Sequence, residues 1–260
     1  MSLIINQNID AMNAYRNLSV TQGQLSSSLE KLSSGFRINR AADDAAGLAI
    51  SEGLRSQIGG LGVAVNNAQD GISVAQTAEG ALTEVHSMLQ RMNDLAVQYN
   101  NGTQNSDSQA ALQSEFTALS SEIDRIQTTT KFNGVALFGG SATTNFQVGT
   151  DPTDTLAVDL SGKVDTTGLD ITDNTTVTAA ITATSTLRGN LGAIQNRFEH
   201  TINNLNVTVE NLTASEGRIR DTDMASEMVN YTRANILSQA GTAMLAQANQ
   251  APQSVLKLLQ

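Results

Sequence analysis

The sequence predicts a mainly α protein: long antiparallel helices and a terminal coiled coil, with a small β-hairpin patch at about 132–176. Three observations carry this reading. Apolar residues recur at helical spacing over most of the chain. Only Pro152 and Pro252 are prolines, so little interrupts a helix. One stretch rich in Gly, Asp and Thr loses the helical spacing and carries turn and strand signals instead.

The first helix is predicted to run to about residue 36. Ile4, Ala11, Leu18, Leu25 and Leu32 follow one another at steps of seven, with Tyr15, Leu29 and Phe36 four residues after members of that series. This is heptad character. Asp10, Arg16, Glu30 and Lys31 are nearly its only charges, so a free helix of this kind is poorly solvated and weakly held. The last segment mirrors it. Leu237, Gly241, Met244, Ala248, Ala251, Val255 and Leu258 alternate steps of four and three. The small residues Gly241, Ala248 and Ala251 allow close approach of another helix. The two ends are therefore predicted to pack together or against other copies.

Three longer helical patterns lie between them. The first runs from Ile58 to Tyr99 and contains QIGGLGV, whose glycines each cost a helix interior up to about 1 kcal/mol relative to Ala; a kink or a close contact is expected there. Asn101-Gly102 ends it. Ser106 and Gln109 have capping-box spacing and open the second, with Leu112, Phe116, Leu119, Ile123 and Ile126 as its stripe. The third covers about 178–214. Between the second and third, Phe132-Asn133-Gly134 marks a turn, and NFQVGT, TLAVDL and KVDTTGLDI read as short strands. The predicted division is a coiled-coil part, 1–43 and 221–260, and a helical-bundle part, 44–220, that carries the hairpins.

Composition excludes several functions. The net charge of −10 leaves no basic patch to displace counterions from nucleic acid. The absence of cysteine removes disulfides and thiolate metal sites. No apolar run approaches the roughly 18 residues of a membrane span, so no membrane is an expected partner. MSLIINQNIDAMN lacks the basic and apolar regions of a cleaved signal peptide.

The stretch GFRINRAADDAAGLAISEGLR, residues 35–55, holds the most tempting chemistry. Arg37 and Arg40 stand before the acidic pair Asp43 and Asp44. Acid/base catalysis needs two groups converging on one pocket, whereas adjacent residues on a helix diverge by about 100°. Charge pairing at a helix N-terminus is the simpler reading. His86 and His200 lie in no zinc motif, and no nucleophile constellation appears. We expect no metal, no cofactor and no enzymatic activity.

SLIINQNIDAMNA, EKLSSGFRINRAADDAAGLAISE, QDGISVAQTAEGALTEVHSMLQRMNDLAVQ, KFNGVALF, LGAIQNRFEHTINNL, ENLTASEGRIRDTDMASEMVNYTR and ILSQAGTAMLAQANQAPQSVLKLLQ together resemble bacterial flagellin, over about 1–138 and 187–260. The resemblance implies a secreted, extracellular subunit of the flagellar filament, short in form and without projecting outer domains. It implies type III export with an uncleaved signal. The terminal segments then form the innermost coiled coil, with Leu18, Leu25, Leu32, Leu237, Met244, Ala248, Val255 and Leu258 as core packing. Arg37, Arg40, Asp43 and Asp44 become joint residues that make ion pairs within or between subunits, and Arg218, Arg220, Asp221 and Asp223 mark the returning joint.

The implied partners are other copies of the chain, a flagellin export chaperone, and the filament cap and hook–filament junction proteins. The vertebrate Toll-like receptor for flagellin is implied through LQRMNDLAVQ. Matched residue by residue, Arg91 and Leu95 fall on its basic and apolar contacts and Glu115 supplies an acid from the next helix. Arg91 and Leu95 are expected on one exposed face, outside the Leu89–Met92–Ala96 stripe. The chain departs from that pattern at Asn93 and Asp94, which implies weaker binding. Two alternatives remain at this point: a hook–filament junction protein, and a signalling coiled coil of chemoreceptor type, which would lack the β patch.

Overall fold

The computed structural model describes residues 8–139 and 143–258, with side chains as far as Gln250. In chain order it contains α1 (Ile9–Ser34), α2 (Ala45–Tyr99), α3 (Ser106–Thr129), β1 (Lys131–Phe132), β2 (Val135–Ala136), β3 (Thr143–Gln147), β4 (Thr155–Asp159), α4 (Asn174–Arg220) and α5 (Met224–Leu258). It divides into two compact units, Met1–Ser56 with Leu212–Gln260, and Gln57–Asn211. The chain breaks helix between α1 and α2 and between α4 and α5. The units divide further along α2 and α4, because Glu52 and Glu216 on those helices are tied to the joint residue Arg220.

In the first unit, α1 and α5 run antiparallel along each other. Asn8 opens α1 by accepting the Ala11 N–H at 3.0 Å. Gly35 closes it in the left-handed conformation, φ 77°, donating to the Lys31 carbonyl at 2.9 Å. A side chain at Gly35 would be strained there.

The second unit is built on α2. Its first apolar cluster joins Ala68, Ala75 and Leu82 of α2 to Leu156 and Val158 of β4 and to Leu191 and Phe198 of α4. Phe146 meets Phe198 edge to face, ring centres 5.5 Å apart. Gly71 lies directly under the Phe198 ring, where a β-carbon would collide. Farther along α2, Leu89, Met92 and Ala96 pack with Phe116 and Ile123 of α3 and Val177 of α4. The helix continues unbroken through Gly59, Gly60 and Gly62; of these, only Gly60 makes a close approach, a β-carbon there meeting Thr150 at 3.0 Å.

Two local expectations need correction. The cap of α3 is Asn105, whose side chain accepts the Ser108 N–H at 2.8 Å; Ser106 is the first helical residue. Of the three predicted strands, KVDTTGLDI is not one. It keeps the inward alternation of a strand, with Val164 and Thr166 buried, but its neighbour is a helix. The Gln127 side chain accepts the Val164 N–H at 2.8 Å and donates to its carbonyl at 3.3 Å. A single amide group thus replaces the ladder a second strand would supply. The other two strands form the β3–β4 hairpin in register Thr143↔Asp159 to Gln147↔Thr155. Asn133-Gly134 turns the short β1–β2 hairpin, with φ of 47° and 81°.

Candidate assembly surface and helix joint

The α1–α5 seam is narrow because its residues are small. On α1 the inward row is Ala11, Ala14, Leu18, Thr21, Leu25, Ser28 and Leu32, half-buried except for the buried Ser28, at alternating steps of three and four. It faces Tyr231, Ala234, Ser238, Gly241, Leu245 and Ala248 on α5. Gly241 lies against Leu18, where a β-carbon would come within 3.2 Å of the Leu18 side chain. Asn8 donates to the Ala248 carbonyl at 2.7 Å. Leu18, Leu25, Leu32 and Ala248 are thus in the seam.

Leu237 and Met244 are not. Met244 is 64% exposed and Leu237 49%. Both belong to a second row on α5, one position removed from Ser238 and Leu245, at the exposed edge of the seam, where they border a groove shared with Ala14, Leu18 and Thr21 of α1. With 3.6 residues per turn, two neighbouring rows can share Gly241 and Ala248, and the spacing by itself does not choose between them. Ile236, Met228 and Val229 extend the outward surface, and Met12 and Tyr15 stand exposed on α1. Val255 and Leu258 lie beyond the residues whose side chains the structure describes.

The joint is held by backbone pairing. Phe36 bridges Asp221 in antiparallel fashion. The Arg37 N–H donates to the Arg220 carbonyl at 2.6 Å and the Thr222 N–H to the Gly35 carbonyl at 3.0 Å. Ile38, 1% exposed, anchors the crossing. Within the single chain the joint's arginines and aspartates make no ion pair with one another. The aspartates cap backbone instead. Asp43 accepts the N–H groups of Arg40 and Asn39 at 2.9 and 3.1 Å, and these bonds hold its carboxyl below the usual carboxylate range. Asp44 caps α2 through the Gly47 N–H at 2.9 Å, and Asp223 caps α5 through Ala225 at 3.0 Å. The Asp221 N–H donates to the Gly217 carbonyl.

Two of the arginines pair with glutamates. Arg40 meets Glu30 at 2.9 Å and Arg220 meets Glu52 at 2.9 Å. Arg37 donates to the Ile219 carbonyl at 2.5 Å, and Arg218 to Ser215 at 2.8 Å. Glu52 is the joint residue that sequence reasoning missed. It stands 168 positions from Arg220, and no local spacing relates the two.

In the second unit Arg91 reaches across to Glu115, forming an exposed ion pair at 2.8 Å. Leu95 corrects the expectation that it shares that surface. It is fully buried, with Leu89, Met92 and Ala96 around it. One turn of α2 lies between α3 and α4 there, so the apolar arc is wide enough to include position 95. His86 pairs with Gln90 at 3.1 Å, and His200 is exposed.

The joint and the paired terminal helices coincide with the sequence blocks that resemble a known family, and comparison with known proteins agrees. The family description "bacterial flagellin N-terminal helical region" matches residues 5–143, and "bacterial flagellin C-terminal helical region" matches 175–259. A flagellin of Halalkalibacterium halodurans is 54% identical over 272 residues, spanning 99% of this chain and 100% of that protein. A flagellin of Bacillus subtilis is 47% identical over 301 residues, with 98% and 99% covered. The flagellar filament 33 kDa core protein of Treponema phagedenis is 44% identical over 285 residues, with 99% and 100% covered. With both helical regions matched and this identity sustained from end to end, the chain belongs to the bacterial flagellin family.

Proposed function

We infer that this chain is a structural subunit that self-assembles into the flagellar filament, its work being polymerisation and the transmission of torque. The outward row on α5 carries the reading. The α1–α5 pair satisfies only one apolar row of each helix and leaves Ile236, Leu237 and Met244 on the surface. Burying such side chains stabilises by about 1.5–3 kcal/mol each. A contact between that row and a different surface of the next copy is heterologous, and repeated heterologous contacts give an open helix. The test is negative-stain electron microscopy of the purified chain beside Leu237→Glu and Met244→Glu. Filaments from the unaltered chain, and none from either variant at unchanged helicity, are expected. Normal filaments from both variants would reject the row as the assembly contact.

The further partners follow from membership of the family. The same row suits the export chaperone, which would shield it before secretion with the export signal left uncleaved. Deleting residues 221–260 should then abolish co-purification of the two. The cap and hook–filament junction proteins would meet the terminal helices at the two filament ends. For the immune receptor, the burial of Leu95 narrows the surface to the Arg91–Glu115 pair. Arg91→Ala should lower the response of receptor-bearing cells to monomer, and an unchanged response would reject this site.

A further inference from the structure

The turn between α2 and α3 carries a chemical feature outside the proposed contact row on α5. We propose that Asn101 is a site of spontaneous covalent modification, its amide converting to a carboxylate through a succinimide closed on Gly102. In the step, the Gly102 nitrogen gives its proton to solvent base and bonds to the Asn101 Cγ. The Cγ–Nδ2 bond breaks and ammonia leaves with a proton. Water then opens the ring at either carbonyl, leaving aspartate or isoaspartate. No oxidant, reductant or enzyme enters.

Four observations favour this position. Asn101 and Gly102 are both exposed. The Asn101 side-chain oxygen accepts the Thr103 N–H at 3.3 Å. That bond draws the carbonyl back over the following peptide and withdraws electron density from Cγ, as a donor at a developing oxyanion does. Asn101 is also the first residue of the turn closed by the Gln104 N–H on its carbonyl at 3.1 Å. Such a turn needs no positive φ at Asn101, unlike the turn at Asn133. Finally, a β-carbon at Gly102 would meet nothing within 4 Å, so no neighbouring element packs on this side of the peptide.

The chain contains its own control. Asn133-Gly134 is the same dipeptide, but it sits in the β1–β2 turn with φ of 47° and 81°, between the paired Phe132 and Val135. Ring closure requires a ψ after the asparagine that this type of turn does not have. Conversion at Asn101 changes the net charge from −10 to −11 and sets the new charge just beyond the C-terminus of α2, where an anion is unfavourable. Isoaspartate also lengthens the main chain by a methylene beside Asn100, whose side chain donates to the carbonyls of Ala96 and Thr172. Modification thus loosens the α2–α3 turn as the protein ages.

The experiment incubates the full-length chain at mildly alkaline pH and follows each asparagine by peptide mass spectrometry, with isoaspartyl methyltransferase labelling. Natively, Asn101 should convert at least about tenfold faster than Asn133, and in concentrated urea the two rates should agree within about twofold, because only preorganisation separates them. Gly102→Ala, which the space around it accommodates, should slow Asn101 about tenfold by hindering the nitrogen. Equal native rates, an inert Asn101, or an unchanged rate in Gly102→Ala would each overturn the proposal.

Discussion

The guanidinium of Arg220 lies 4.6 Å from the centre of the Phe36 ring while its Nη1 donates to Glu52 at 2.9 Å. Arg220 is only 13% exposed, so the stacking is largely shielded from water. The Glu52 carboxylate is half exposed and contributes little by itself. Arg220→Ala should therefore lower stability by about 1–2 kcal/mol, mostly through the lost cation–π contact and packing. Arg220→Lys should recover less than half, since an ammonium lacks the flat face that stacks on the ring. Thermal unfolding, with hydrogen exchange at the Arg37 and Thr222 amides, reads both.

Gly71 has no room for a side chain beneath Phe198. Gly71→Ala should cost about 1–3 kcal/mol through overpacking. Gly53 sits in the same helix with nothing within 4 Å of an added β-carbon. Gly53→Ala should instead stabilise by about 0.5–1 kcal/mol, the ordinary helix preference for Ala. Urea unfolding of the two variants should move the midpoint in opposite directions.

The two rows of α5 should separate by mutation. Gly241→Leu places a large side chain against Leu18 and should part α1 from α5, which isolated helices of this kind do not survive well in water. Far-ultraviolet circular dichroism should show a loss of helix. Met244→Glu, on the exposed row, should leave the spectrum unchanged. The reverse pattern would mean that Met244 faces α1.

Several carboxyls are held below their usual range. For Asp124 the chief cause is the Thr166 hydroxyl, with the Lys163 ammonium adding to it. For Asp159, Asp165 and Asp173 the cause is a hydroxyl two residues on, at Ser161, Thr167 and Thr175, supported by the same residue's backbone N–H. A depressed folded pKa stabilises in full above the unfolded value of about 3.9 and is lost as pH falls through the folded value. Unfolding should begin below about pH 4 and show no contribution from these groups above about pH 5. Asp124→Asn should be less stable at neutral pH and lose stability less steeply in acid. An equally steep acid limb in that variant would show that Asp124 does not couple to folding.

Helical period, sparse proline and the Asn-Gly turn were enough to read α1 to α5 and the β-rich interval in the sequence. These are local properties: propensity, period and cap chemistry act over a few residues, and one chain displays them. The charge pairing of Asp44 at a helix N-terminus and the family blocks around it were equally legible.

What remained for the tertiary structure concerns choices among faces and partners distant in sequence. Leu237 and Ser238 both fit a heptad row, and only the packed helix pair leaves Ser238 half-buried and Leu237 exposed. Leu95 looked like a surface residue until α3 and α4 were packed on both sides of α2. KVDTTGLDI alternates like a strand, yet Gln127 of α3 satisfies Val164 where a strand was expected. Arg37, Arg40, Asp43 and Asp44 read by themselves as charge pairing at a helix N-terminus, and the resemblance made them a joint. That the aspartates cap backbone while Arg220 finds Glu52 and Phe36 was settled by where the chain returns, because pairing across 168 residues depends on proximity that folding alone creates.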